Sequence, residues 1–240
     1  DDFLDITPPS DVAPENYLVE ESQLAAYTIR YYTDNFPSLN SLYGDDEMAT
    51  DNATTRNSSN RYLIGEWKTP ASGGEWNFNN IYTLNYFIQS TEKNLETGSI
   101  KGNSTNIKHY IGEGYFLRAY QYFYRLRKLG DFPIIKEVLP DNKEALVEAS
   151  KRQPRNEVAR FILQDLDKAI EYLTNNPDGG KARITKNAAL VLKARVALFE
   201  ATWEKYHAGT ALVPNGKGWP GAEKDLSLIH ISEPTRLDVI

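Results

Sequence analysis

The 240-residue chain has no cysteine, three histidines and one methionine. Without cysteine there is no disulfide framework, no thiolate nucleophile and no cysteine-ligated zinc. His109, His207 and His230 are scattered, with neither an HExxH motif nor a paired spacing, so no histidine-ligated metal is expected. No window approaches eighteen consecutive apolar residues, so nothing in the sequence reads as a helix spanning a bilayer. Blocks of like charge are also missing. A net charge of -6 and a pI near 5.2 leave no electrostatic footprint for nucleic acid or for an anionic membrane surface. There is no Ser/His/Asp order, no phosphate-cradling glycine loop and no nucleotide fingerprint. Gly179-Gly180-Lys181 lacks the P-loop spacing and reads as a turn between helices. No cofactor is expected, and the chain does not read as an enzyme.

What is present is an ordinary globular balance, 40% hydrophobic and 25% charged, enough for one sizeable core or two small ones. Apolar spacing is helical nearly throughout. Past "DITPPSD", where Pro8 and Pro9 enforce an extended entry, the spacing predicts a helix over about 15–32 that buries Tyr17, Leu18, Leu24, Ala25, Ile29 and Tyr32. A second is expected over about 76–95 on Trp76, Ile81, Leu84, Phe87 and Ile88. A third covers about 104–129 and stops at Gly130, a residue suited to a left-handed helix end. "DFPII" follows as a short extended exit. A fourth starts near Asn156 and buries Val158, Phe161, Ile162, Leu166, Ala169, Ile170 and Leu173. The fifth, about 185–206, uses Ala188, Ala189, Ala194, Ala197 and Ala201 for close approach and Val191, Leu192, Leu198 and Phe199 for volume. Long helices separated by loops, with paired aromatic and small residues, look like tetratricopeptide-type hairpins and indicate an all-α fold, an α-solenoid or irregular bundle, although no strict 34-residue repeat superposes on the sequence.

The stretch "GEGYFLRAYQYFYRLRKLGDFPII" (112–135) carries seven aromatic side chains. Tyr115, Phe116, Tyr120, Tyr122, Phe123 and Tyr124 wrap most of the helix, which marks a central element touching neighbours on several sides rather than a ligand platform. Its tyrosine hydroxyls are expected to reach backbone or carboxylate partners. Arg118 and Arg125 are expected to be internal charge partners, for instance to Glu113 or Asp131.

Four segments together resemble the SusD/RagB family of nutrient-binding outer-membrane lipoproteins. "DDFLDITPPS" (1–10) is similar to the mature N-terminus that follows the lipidated cysteine, and "WNFNNIYTLNYFIQ" (76–89) to a tryptophan-led helix with a central Asn. The aromatic stretch at 112–135 resembles the family's most characteristic segment, and "RITKNAALVLKARVALFEATW" (183–203) its Ala-rich helix after a Thr-Lys turn. The resemblance covers nearly all of residues 1–208. It implies a helical, tetratricopeptide-like half joined to a more irregular remainder that supplies part of the ligand surface. Residues 1–225 are expected to be a truncated version of the first half. The lipid-bearing cysteine would precede Asp1. "LSLIHISEPTR" (226–236) looks like a translated sequencing-library adapter, so 226–240 is expected to be a non-native tail.

The resemblance implies capture of oligosaccharides at the cell surface and their delivery to a TonB-dependent, SusC-like outer-membrane transporter. Sugar recognition needs flat aromatic faces for C–H surfaces and polar groups for hydroxyls. The long polar segment 38–75 supplies both, and its length favours a functional loop. Trp67 is the first candidate stacking platform, with Arg61 and Asn60 as hydrogen-bonding neighbours and Tyr62 and Asn57 nearby. Against this, Trp67 is flanked by Ile64 and Lys68, and pinning the loop to the core is the favoured reading. Trp76 is a further candidate, with a core or capping role favoured because it opens a helix. Asp45, Asp46, Glu47 and Asp51 cluster, but without the calcium-loop spacing, and turn capping accounts for them. A peptide-binding helical scaffold is the alternative of a different class, and a glycosidase using Asp45 or Glu47 is a weaker one.

Overall fold

The computed structural model describes residues 17–36, 76–214 and 217. Six α-helices stand in this part: α1 (Glu21–Asn35), α2 (Asn79–Glu96), α3 (Ser104–Leu129), α4 (Lys143–Ala149), α5 (Arg155–Tyr172) and α6 (Lys186–Tyr206). Five are those expected from the periodicity, and α3 has the expected limits. The short α4 was not foreseen: its seven residues bury no side chain, so it has no apolar stripe to read.

Helix ends follow local chemistry. α1 begins later than expected because Glu20 and Gln23 close a reciprocal capping box at its start, leaving Tyr17 and Leu18 ahead of the helix. Asn103, Asn142 and Thr185 cap α3, α4 and α6 by accepting from backbone amides of the first turn. Gly130 ends α3 at a φ of 75°. Gly179 and Gly180 also have positive φ and open a 3-10 turn that leads from α5 towards α6, the inter-helix turn expected there.

α3 is the axis of the body. It packs most extensively on α5, then on α2 and α1, while α6 joins through α5. Phe116, Leu117, Ala119, Tyr122, Phe123 and Leu126 are buried and Tyr115 and Tyr120 pack half-buried against them, as the all-round apolar pattern implied, while Tyr124 is half-buried outside that cluster. Two glycines set the spacing. A Cβ at Gly114 would stand 2.7 Å from the Phe87 ring of α2, and one at Gly112 3.0 Å from Tyr172 Cβ of α5. Tyr115 Oη donates to Glu92 at 2.9 Å, and Tyr122 Oη accepts from the Ile135 amide at 2.8 Å.

Buried charges tie the helices in pairs. Arg118 of α3 makes a two-pronged bond to Asp165 of α5, both contacts 2.8 Å. This corrects the expected pairing with Glu113 or Asp131. Glu113, with no exposed surface, instead accepts from Thr28 Oγ1 (2.6 Å), Tyr32 Oη (2.7 Å) and Arg183 Nη1 (2.9 Å), with His109 Nε2 at 3.3 Å. Asp131 accepts from the Arg155 amide, and the Arg155 side chain clamps Glu200 of α6 with two 2.8 Å bonds. Arg125 donates to Gln121 and to the Asn77 carbonyl.

Core assignments fail on two helices. Ile29 is 39% exposed, because α1 turns Leu24, Tyr27, Thr28 and Tyr31 inward instead. On α6, Ala188, Val191 and Leu198 face outward, the latter two 67% and 60% exposed, on the side where no described element packs.

Candidate functional site

Of the residues nominated from sequence, Asn57, Asn60, Arg61, Tyr62 and Trp67 lie outside the described residues, as do Asp45, Asp46, Glu47 and Asp51. Trp76 is described. It stands ahead of α2, not within it, and is 49% exposed. Its ring stacks on Phe132, with centroids 5.3 Å apart and planes 26° from parallel. Phe78, the residue that precedes α2, stacks on the same ring at 5.0 Å and 16°. Phe132 is fully buried, and Tyr122 meets it edge-on at 5.9 Å. The core therefore holds Trp76 flat from beneath while leaving much of its surface to solvent. The guanidinium of Arg152 is 6.0 Å from the Trp76 ring.

Phe132 is placed by the extended segment that follows α3. Its amide and carbonyl exchange hydrogen bonds with Gln153 at 3.2 and 3.1 Å. Beyond it the chain is pinned to α2 and α3 by side chains. Asn85, buried in mid-α2, donates to the carbonyls of Ile135 (2.9 Å) and Glu137 (3.3 Å). Arg118 donates to Asn85 Oδ1 (2.9 Å) and to the Lys136 carbonyl (3.1 Å), which links this segment to the α3–α5 ion pair. Gln89 accepts from the Val138 amide at 3.3 Å. Burial pushes the Tyr122 hydroxyl up to about 12, so it stays neutral and keeps its bonds to Ile135.

Between this segment and α2 lies a cleft of about 400 Å³. α2 contributes Phe78, Ile81 and Tyr82, and the facing wall includes Ile135, Leu139 and Pro140. Leu146 and Ser150, on and just after α4, close one side, and Glu137 and Asp141 complete the lining. Tyr82 is 54% exposed. Neither Tyr82 nor the two acids had been nominated. The legible signal was the i, i+4 aromatic pair Phe78/Tyr82 in "WNFNNIY", neither member of which was assigned to the core or to a site. Among the described residues no three His, Cys, Asp or Glu side chains come together as metal ligands.

Trp203 has a different setting. The Arg155 guanidinium covers its ring at 4.1 Å, His207 stacks on it at 4.2 Å, and its indole N–H donates to the Leu212 carbonyl at 3.2 Å. Its polar and aromatic groups are engaged within the fold. Trp219 lies outside the described residues.

Comparison with known proteins agrees with this architecture. A SusD homolog from Bacteroides thetaiotaomicron superposes with a TM-score of 0.60 at 20% identity, over 94% of this chain and 41% of that one. A SusD-like protein from Bacteroides fragilis gives 0.56 at 24% identity, over 83% and 39%. In sequence, SusD-like protein P2 of Formosa agariphila is 30% identical over 108 residues, 45% of this chain and 21% of that protein. The chain thus spans about two fifths or less of the length of these relatives. Residues 2–198 match the SusD-like family model described as "Starch-binding associating with outer membrane". With that match running through every helix but the end of α6, the chain belongs to the SusD-like family.

Proposed function

We propose that this chain is the helical part of a surface-exposed outer-membrane lipoprotein that captures oligosaccharides without chemistry and passes them to a TonB-dependent, SusC-like transporter. The family match over residues 2–198, to a model described as starch-binding and associated with the outer membrane, carries this reading. The half-open Trp76 ring supports it: a flat apolar face for the C–H side of a sugar, backed by Phe132 and flanked by Arg152 as a donor for hydroxyls. Trp76 closes the sequence segment that holds Asn57, Asn60, Arg61, Tyr62 and Trp67, and these six residues are the proposed ligand-binding set.

Affinity electrophoresis tests it. The protein extended to the length of its relatives is run through native gels containing soluble starch or other glycans. Retardation in at least one glycan, lost in Trp67→Ala and weakened in Trp76→Ala, is expected. Unretarded migration in every glycan would overturn sugar capture and favour the peptide-binding scaffold. Release of reducing ends would point to hydrolysis. Co-purification of a TonB-dependent transporter from detergent-extracted outer membranes tests the delivery step.

A further inference from the structure

The cleft beside Trp76 has a chemistry of its own. Phe78 and Tyr82 are four residues apart and so lie one above the other on the same face of the chain entering α2. Phe78 leans on the Phe132 ring that also supports Trp76, so platform and cleft share one rigid base. The volume of about 400 Å³ falls in the range of small-molecule sites, about 300–1,000 Å³. Asn85, in the lining, has its amide committed to Arg118 and two backbone carbonyls. Polar recognition therefore falls to the exposed Glu137 and Asp141, whose carboxylates make no hydrogen bond or ion pair with any described residue. Among the described residues no lysine or arginine lines the cleft.

Building on the glycan-capture reading, we propose that this cleft is a second sugar subsite selective for uncharged oligosaccharides. The Tyr82 ring packs against the C–H face of a pyranose, and Glu137 and Asp141 accept hydrogen bonds from its hydroxyls. A uronate or sulfate group would meet two carboxylates with no cation among the lining residues to offset them, so acidic glycans are rejected by like-charge repulsion.

The test is an array of neutral oligosaccharides, maltooligosaccharides among them, beside their uronate and sulfated counterparts, probed with the relative-length protein. Neutral members should be retained at least about tenfold more strongly than their acidic counterparts. Tyr82→Ala should weaken that retention about tenfold, and Tyr82→Phe should keep it, since stacking needs the ring and not the hydroxyl. The pair Glu137→Gln and Asp141→Asn should narrow the discrimination severalfold. Tyr82 and both acids are exposed, so helicity by circular dichroism should be unchanged in every variant. If glycans bind but Tyr82→Ala has no effect while Trp76→Ala abolishes retention, the subsite proposal falls and glycan capture stands. Equal retention of acidic and neutral members overturns the subsite alone. Absence of retention on every member overturns both.

Discussion

Aromatic side chains crowd two regions, the α3 axis and the start of α2, and the two use them in opposite ways. On α3, Phe116, Tyr122 and Phe123 are sealed by helices on several sides, and the hydroxyls of Tyr115 and Tyr122 are bonded to a carboxylate and to backbone. At the start of α2, Trp76 and Tyr82 keep about half their surface open, one of them held in place by a buried phenylalanine. Aromatic density alone therefore does not mark a binding face. What sets the start of α2 apart is a ring supported by the core on one side and exposed on the other.

The comparison breaks most severely through the buried ion pairs behind α3. Asp165→Ala leaves the Arg118 guanidinium buried beside Asn85 and a carbonyl, and should cost about 3–5 kcal/mol, read as a lowered denaturant midpoint. Asn85→Leu comes next. It takes the side-chain amide donor from the Ile135 and Glu137 carbonyls and the Oδ1 acceptor from Arg118, and should cost about 2–3 kcal/mol while loosening the cleft wall. Faster hydrogen exchange at the Ile135 and Val138 amides would report that loosening.

Alkali separates the regions without mutation. The Tyr122 hydroxyl sits at about 12 in the fold, and burial raises those of Tyr27, Tyr32 and Tyr115 as well. Unfolded tyrosines ionise near about 10. Stability from these groups is full below that value and is lost as pH climbs through the folded values, because only the unfolded chain then releases protons. Stepwise alkaline titration should show the core tyrosines Tyr27, Tyr32, Tyr115 and Tyr122 ionising together in a cooperative unfolding step detected by tyrosinate absorbance. The smallest effect belongs to the surface: Trp76→Ala should move stability by no more than about 1 kcal/mol, because half of its ring is already in water, and yet weaken glycan retention.

Much of the body was legible from local pattern. The limits of α3, the glycine at its end, the cap at Thr185 and the buried face of α5 are set by neighbours within four residues in sequence, and such interactions leave a period. The errors have one origin. Val191 and Leu198 carry the right spacing for a core face, but spacing states only that a face is apolar, not that another element covers it. α4 was missed because a helix with no buried residue has no stripe. Of the candidate site, Trp76 was named but placed inside a helix, while Tyr82, Glu137 and Asp141 went unnamed, since the cleft exists only when residues 135–150 fold back on α2.

The amino-acid order by itself determined an all-helical body with α3 at its centre, because backbone hydrogen bonding and side-chain periodicity are decided within a few residues. Only the tertiary structure decided which buried charges pair, Arg118 with Asp165 and Glu113 with Arg183, and which aromatic rings stay open. Those outcomes depend on groups 47 to 70 residues apart meeting in a water-poor interior, where a charge must find whichever opposite partner the packing brings to it.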